Sequence, residues 1–258
     1  MRYRFAALMA ALAAMTSTTS LSAQTVVVTP SSPQGWMSAT YGPSAGAFSG
    51  ITTTFARSGT GSAEIRLSDE GNSEADWLQN FATNRALSDI TAFSFDWFVS
   101  SSSTTPAFTT PAMALMLSNG NYLVWEGAYN GYSGGAPQNT WVSSDILNGN
   151  FWYTGSGAGE CGYSTTYQSL ALFNSDCLGG TGQVSGVDAF LGFGYVGKSF
   201  DGAVDNISYG FAGAKPTTFN FEPDSPTVTP EPATMSLMAS GLVGLGGVIG
   251  FKRRRKLS

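Results

Sequence analysis

Short apolar–polar alternations, not helical stripes, fill the middle of this chain. The clearest runs over Ile90–Ser100, where Phe93, Phe95, Trp97 and Val99 share one parity and Ser94, Asp96 and Ser100 the other. Alternation with a period of two puts each set on its own face of a strand, so the aromatic stripe is expected to face a core. Asp188–Val196 repeats the pattern, with Ala189, Leu191, Phe193 and Tyr195 on one face. Phe190 and Val196 on the other, with Gly192 and Gly194 between, predict close packing on both sides. Further strands are predicted at Phe48–Phe55, Ser62–Leu67, Ala112–Leu117, Tyr122–Glu126 and Ala203–Phe211. Asn119-Gly120 lies between two of them and marks a hairpin, because both residue types tolerate positive φ. Ala75–Phe81, with Trp77 and Phe81 four apart, reads as one short helical turn.

Seven or more strands, separated by Gly, Ser, Asn and Pro and joined by loops of varied length, predict an all-β, jelly-roll-like β-sandwich over residues 24–215. Five prolines between Pro216 and Pro232 keep the following stretch extended, so residues 216–229 read as a linker.

The two ends break the pattern. Met1-Arg2-Tyr3-Arg4 is a cationic start, and Phe5–Met15 is an apolar run too short to span a bilayer. Small residues then lead to Leu21-Ser22-Ala23, so residues 1–23 read as a secretory signal peptide with cleavage between Ala23 and Gln24. At the other end, Pro230-Glu231-Pro232 precedes an uncharged apolar run, Met235–Phe251, and then Lys252, Arg253, Arg254, Arg255 and Lys256. Seventeen helical residues at ~1.5 Å each make roughly 25 Å, slightly short of a ~30 Å hydrocarbon core. The basic block resists translocation and stays cytoplasmic, which defines a single C-terminal transmembrane helix.

This order of motif, apolar run and basic end over residues 230–258 resembles the PEP-CTERM sorting signal of Gram-negative bacteria. The resemblance covers about a ninth of the chain. It implies recognition by an exosortase, a membrane-embedded cysteine protease, with removal of the tail near Pro230-Glu231-Pro232. It further implies an association with exopolysaccharide, biofilm or floc formation. A permanent single-span anchor is the alternative reading of the same residues.

Charge changes the picture of the exported part. Arg57, Arg66, Arg85, Lys198 and Lys215 are its only cations against all 17 acidic residues, a net charge of about −12 where the whole chain has −5. Such a surface holds neither nucleic acid nor anionic lipid by charge. Cys161 and Cys177 are the only cysteines. In an oxidising compartment they are expected to form one disulfide, with two free thiols as the alternative.

The chain has no histidine. That excludes Ser-His-Asp and Cys-His catalysis and histidine-ligated metals. Paired carboxylates could still hydrolyse glycosides, but Glu64, Glu126, Asp145 and Glu160 are scattered acids that nothing in the sequence brings together. Asp205 shares parity with Ala203, Ile207 and Tyr209, so a carboxylate there needs a partner on an inward face. A structural Ca²⁺ would supply one, and a turn position would remove the need. No cofactor is expected. The region Tyr129–Tyr153 carries aromatics among Gly and Asn, and Trp141, Trp152 and Tyr132 are the candidates for stacking on sugar rings, with core packing as the alternative.

Gly61–Leu67 and Phe200–Tyr209, one early and one last, loosely resemble the strands of carbohydrate-binding jelly-roll modules. The expectation is a non-enzymatic cell-surface or matrix protein, exported and processed by signal peptidase and exosortase. It would start as an inner-membrane-anchored precursor with a cytoplasmic C-terminus, then act at the surface, in contact with extracellular polysaccharide. The alternative function is a carbohydrate-active enzyme, a glycoside hydrolase or lyase.

Overall fold

The computed structural model describes residues 23–42, 46–155 and 167–225. In chain order the strands are β1 (Gln24–Val28), β2 (Trp36–Tyr41), β3 (Phe48–Thr52), β4 (Ser62–Leu67), β5 (Glu74–Ala86), β6 (Ile90–Val99) and β7 (Ala112–Leu117). They continue as β8 (Tyr122–Trp125), β9 (Val142–Asp145), β10 (Phe151–Tyr153), β11 (Gln183–Gly192), β12 (Phe200–Phe211) and β13 (Thr217–Phe221). A six-stranded sheet has the order β10-β8-β7-β11-β5-β2. A seven-stranded sheet is built around β12, which pairs along one edge with β6 and along the other with β4 and then β13. The fold is a β-sandwich, as the alternation predicts.

Both sheets turn an aromatic face inward. Phe93, Phe95, Trp97 and Val99, the predicted stripe, are at most 3% exposed. Phe95 meets Trp125 of the opposite sheet edge-on at 5.4 Å, and Phe93 stacks over Phe151 at 6.3 Å. At the other end Trp36 stacks on Trp77 and receives Phe219 and Phe221 edge-on at 5.5 and 5.1 Å. Aromatic pairs of this geometry add about 0.5–1.5 kcal/mol each beyond their buried area.

The predicted hairpin joins β7 and β8. Only Gly120 takes positive φ, +83°, and Leu117 accepts its N–H, so the turn is a three-residue one with glycine in the left-handed position.

Three expectations need correction. Ala75–Phe81 is not a helical turn but part of the thirteen-residue strand β5. A spacing of four puts Trp77 and Phe81 on one side of either a helix or a strand, so that pair alone could not decide. The segment read as a linker from residue 216 begins with β13, whose Phe219 and Phe221 enter the core. It runs parallel to β1, with Gln24 opposite Thr217 and Val28 opposite Phe221. Finally, β11 stops at Gly192; Phe193 turns out at φ +58° and is 55% exposed, so it does not join the core face of Ala189 and Leu191. The close packing expected at the two glycines does occur. A Cβ on Gly192 would lie 2.4 Å from Glu74 Cα, and one on Gly194 would lie 2.8 Å from Glu70 Oε1.

Asp205 sits where β4 gives way to β13 along β12, next to a bulge at Asn206, which takes φ +48°. It is fully buried, and its two oxygens accept the backbone N–H groups of Phe221 at 3.0 Å and Ser58 at 3.2 Å. Those amides give the buried carboxylate two donors and tie the end of β13 to the loop before β4.

Residues 1–22 and 226–258, and with them Pro230, Glu231, Pro232, the apolar run and Lys252–Lys256, lie outside the described residues, as does Cys161. Cys177 is half-buried against the core, with Gln168 Nε2 3.7 Å from its sulfur. Among the described residues no helix is long and apolar enough to cross a membrane.

Candidate functional site

The residues that alternate with the core set of the six-stranded sheet face away from the core. In adjacent strands these are Met37, Ala39 and Tyr41 on β2, Glu74, Asp76 and Leu78 on β5, and Asp188 and Phe190 on β11. Ala112 and Ala114 on β7, Tyr122 and Val124 on β8, and Trp152 on β10 continue the surface. Ala112, Ala114 and Val124 form a small apolar floor of their own, walled by half-buried Tyr122, Trp152 and Phe190. Small side chains beside large flat ones make a depression in a sheet that would otherwise be level. Tyr41 is 53% and Met37 47% exposed, so the wall on the β2 side is open to solvent.

Carboxyl groups lie buried in the strands beside this floor. Asp76 and Asp188 are buried, at 2% and 3% exposure, and each keeps one oxygen, Oδ1, without a hydrogen-bond partner. Burial first, then the charges of Asp188 and Glu74, push Asp76 up to about 9. Burial first, then Glu74, push Asp188 up to about 8. Glu74 is also raised by burial, while its hydrogen bond to Asp76 acts the other way. At neutral pH Asp76 and Asp188 therefore hold protons and can donate hydrogen bonds. The charge of Asp76 raises Tyr41, and Tyr122 is raised by burial and then by Asp188, which places both phenols beside the acids.

At the β7–β8 end the depression runs into a cleft of about 200 Å³ lined by Glu70, Phe108, Thr110, Glu126, Phe190 and Tyr195. Glu126 Oε1 accepts the indole N–H of Trp152 at 3.0 Å. Glu70 is buried, and its two oxygens accept the backbone N–H groups of Gly194, at 3.0 Å, and Tyr195. Burial raises both carboxyls. Tyr129 stacks on Tyr167 at 3.9 Å, and its hydroxyl is raised by a hydrogen bond with Tyr167, then by burial and Glu126. Flat rings beside hydrogen-bonding acids suit the alternating apolar and hydroxylated faces of a sugar chain.

The three sequence candidates do not converge. Trp152 belongs to this surface. Trp141 lies on the outer face of the other sheet, donating to the Ala56 carbonyl at 3.1 Å and packing on Phe98 at 5.6 Å, with the Arg57 guanidinium 6.0 Å from its ring. Tyr132 meets Trp97 edge-on at 5.1 Å, supporting the core. The acids are equally dispersed. Glu64 bonds Thr52 Oγ1 and pairs with Arg66 on the seven-stranded sheet, Asp145 is on β9 of that sheet, and Glu160 lies outside the described residues.

Tyr41, Asp76, Tyr122 and Asp188 escape the sequence reading. Asp188 and Tyr122 begin predicted strands, and their parity opposite the core stripe was the available signal. Asp76 was hidden by the helical reading of its segment. Among the described residues no group of three or more His, Cys, Asp or Glu side chains is arranged to hold a metal ion.

No family model matches the chain, and no curated protein matches it in sequence. Among solved structures, the sandwich is similar to the family 11 carbohydrate-binding module of a cellulosomal cellulase of Clostridium thermocellum, at 12% identity and a TM-score of 0.39 over 69% of this chain and 88% of that one. A family 11 module from Clostridium thermocellum in complex with a β-1,3-1,4-mixed-linked tetrasaccharide gives 13% identity and a TM-score of 0.38 over 67% and 86%. A β-1,2-glucanase from Parabacteroides distasonis gives 10% identity and a TM-score of 0.39 over 69% of this chain but only 23% of its own. At these TM-scores the likeness carries no argument about a ligand. Any function must come from this chain's own side chains.

Proposed function

We propose that the protein is an exported, non-enzymatic glycan-binding protein of the cell surface or extracellular matrix, holding exopolysaccharide along the outer face of its six-stranded sheet. The observation that carries this reading is the apolar floor of Ala112, Ala114 and Val124, walled by Tyr122, Phe190 and Trp152 and running into the cleft that holds Glu70 and Glu126. The C-terminal motif, apolar run and basic block support delivery by a PEP-CTERM signal, with signal peptidase and exosortase as processing partners and the inner membrane as a transient one. Gln24 opens β1, so a cut after Ala23 leaves that strand whole. In the exported compartment Cys161 and Cys177 form a disulfide.

A hydrolase reading would draw on Glu70 and Glu126, which share a cleft. Glu70 speaks against it, because each of its oxygens already accepts a backbone N–H and the side chain anchors the loop after β11. Retention on immobilised bacterial polysaccharides, with a reducing-end assay on the same samples, tests the function. Retention without new reducing ends is the expected result. Release of reducing ends would replace this reading with the enzyme, and absence of any retention would overturn glycan binding.

A further inference from the structure

We propose that the cleft at the end of the apolar floor receives the terminal sugar unit of a glycan, so that the protein grips chain ends and not chain interiors. This rests on the face being the glycan site and specifies which part of the polymer it takes.

Floor and cleft form one groove. Ala112 and Phe190 belong to both, Ala112 as the first residue of β7 and Phe190 opposite it on β11. Ala114, two residues further along β7, lies on the same side of the sheet. A chain resting on Ala114 and Ala112 therefore points into the cleft, past the start of β7 and the end of β11.

The far end of that path is shut. Residues 100–111, ahead of β7, and 193–199, after β11, meet there. Phe108 packs edge-on against Tyr195 at 6.1 Å, and both rings line the cleft. The Thr104 N–H donates to the Ser199 carbonyl at 2.8 Å, and the Ser199 N–H returns a bond to Thr104 Oγ1 at 2.8 Å. A third segment, Glu70–Asn72 ahead of β5, is tied to the same wall. The Phe193 N–H donates to the Glu70 carbonyl and the Glu70 N–H to the Lys198 carbonyl, each at 2.7 Å. Backbone bonds hold the three segments together, so rotating one side chain does not open a passage.

Size points the same way. The cleft holds about 200 Å³, below the roughly 300–1,000 Å³ of sites that enclose drug-sized ligands. That is room for one pyranose ring and not for two. An internal unit would have to carry its next neighbour through the Phe108–Tyr195 wall, whereas a terminal unit has a free hydroxyl in that place. Glu126 offers such a hydroxyl a partner. Its Oε1 takes the Trp152 indole N–H at 3.0 Å, and its second oxygen has no partner among the described residues.

The test is the number of protein molecules that one glycan chain holds, measured on the full chain by titration calorimetry and sedimentation velocity. The probes are pullulan, linear β-1,3-glucan and linear β-1,3-1,4-glucan, each as a hexamer and as a long polymer. One protein per chain is expected at both lengths, with affinity per chain equal within about twofold. Borohydride reduction of the probes tells the two termini apart: binding kept assigns the non-reducing end, and binding lost the reducing end. Phe108→Ala should let more than one protein load onto a polymer, and a ratio that stays at one would overturn Phe108 as the stop. In the unmodified protein, a ratio that grows with chain length overturns the proposal and leaves the face as a glycan site. Failure of every probe at both lengths overturns the reading of the face itself.

Discussion

Trp152 donates its indole N–H to Glu126 at 3.0 Å, and that bond fixes the ring where the sheet depression meets the cleft. Replacing it by alanine removes a stacking wall worth about 1–2 kcal/mol, so polysaccharide affinity should fall about tenfold. Trp141→Ala should leave affinity within about twofold, since that ring packs on Phe98 of the other sheet. Affinity electrophoresis of the two variants side by side decides which tryptophan touches glycan.

Stability should decline as pH rises. Asp205, Asp188 and Asp76 are raised from 3.8 to about 6, 8 and 9 respectively, chiefly by burial. A carboxyl raised on folding binds more protons in the native state than in the unfolded one between those two values. The slope of unfolding free energy against pH is therefore negative there. The thermal midpoint is expected to be higher near about pH 5 than near about pH 9, and flatter across that range in an Asp76→Asn, Asp188→Asn double variant. Asp69, held low by Asn72 and the Gly197 amide, acts only below that window. A midpoint that climbs from acid to alkaline would contradict the buried, protonated pair.

Phe221→Ala should destabilise the sandwich by about 3–5 kcal/mol, because the ring is fully buried and meets both Trp36 and Trp77. A chain ending at Lys215 loses Phe219 as well and is expected not to fold, whereas one ending at Ser225 should. Urea unfolding of both truncations separates a strand from a linker in this stretch.

Asp205→Ala leaves the Phe221 and Ser58 amides without their acceptor in a fully buried site. A loss of about 2–4 kcal/mol is expected, and added Ca²⁺ should not change the wild-type midpoint. A Ca²⁺-dependent rise would show that amides are not what satisfies this carboxylate.

Residues with one dominant neighbour set were legible in the sequence. Ser62–Leu67, which alternates, and Ala112–Leu117, a continuous apolar run, form strands with the predicted bounds, because neither is interrupted by glycine or proline. The face that carries the candidate site was not. It depends on which strands become neighbours: Asp76 and Asp188 are 112 positions apart and meet only because β5 and β11 pair. β13 was missed for a related reason. Flanking prolines signal extension, and an extended segment is also what an edge strand needs before it finds a partner. Trp141 and Trp152 lie eleven positions apart and yet on different sheets, because β9 and β10 join different sheets.

The parallel pairing of β1 with β13 has a mechanical consequence. The chain enters at the Gln24 end of this pair and leaves at the Phe221 end, with five residue pairs between. Tension between the two ends therefore draws the strands past each other lengthwise, and the whole ladder resists at once. A hairpin pulled at its open end would instead unzip bond by bond. A domain threaded this way resists being drawn open from its two ends.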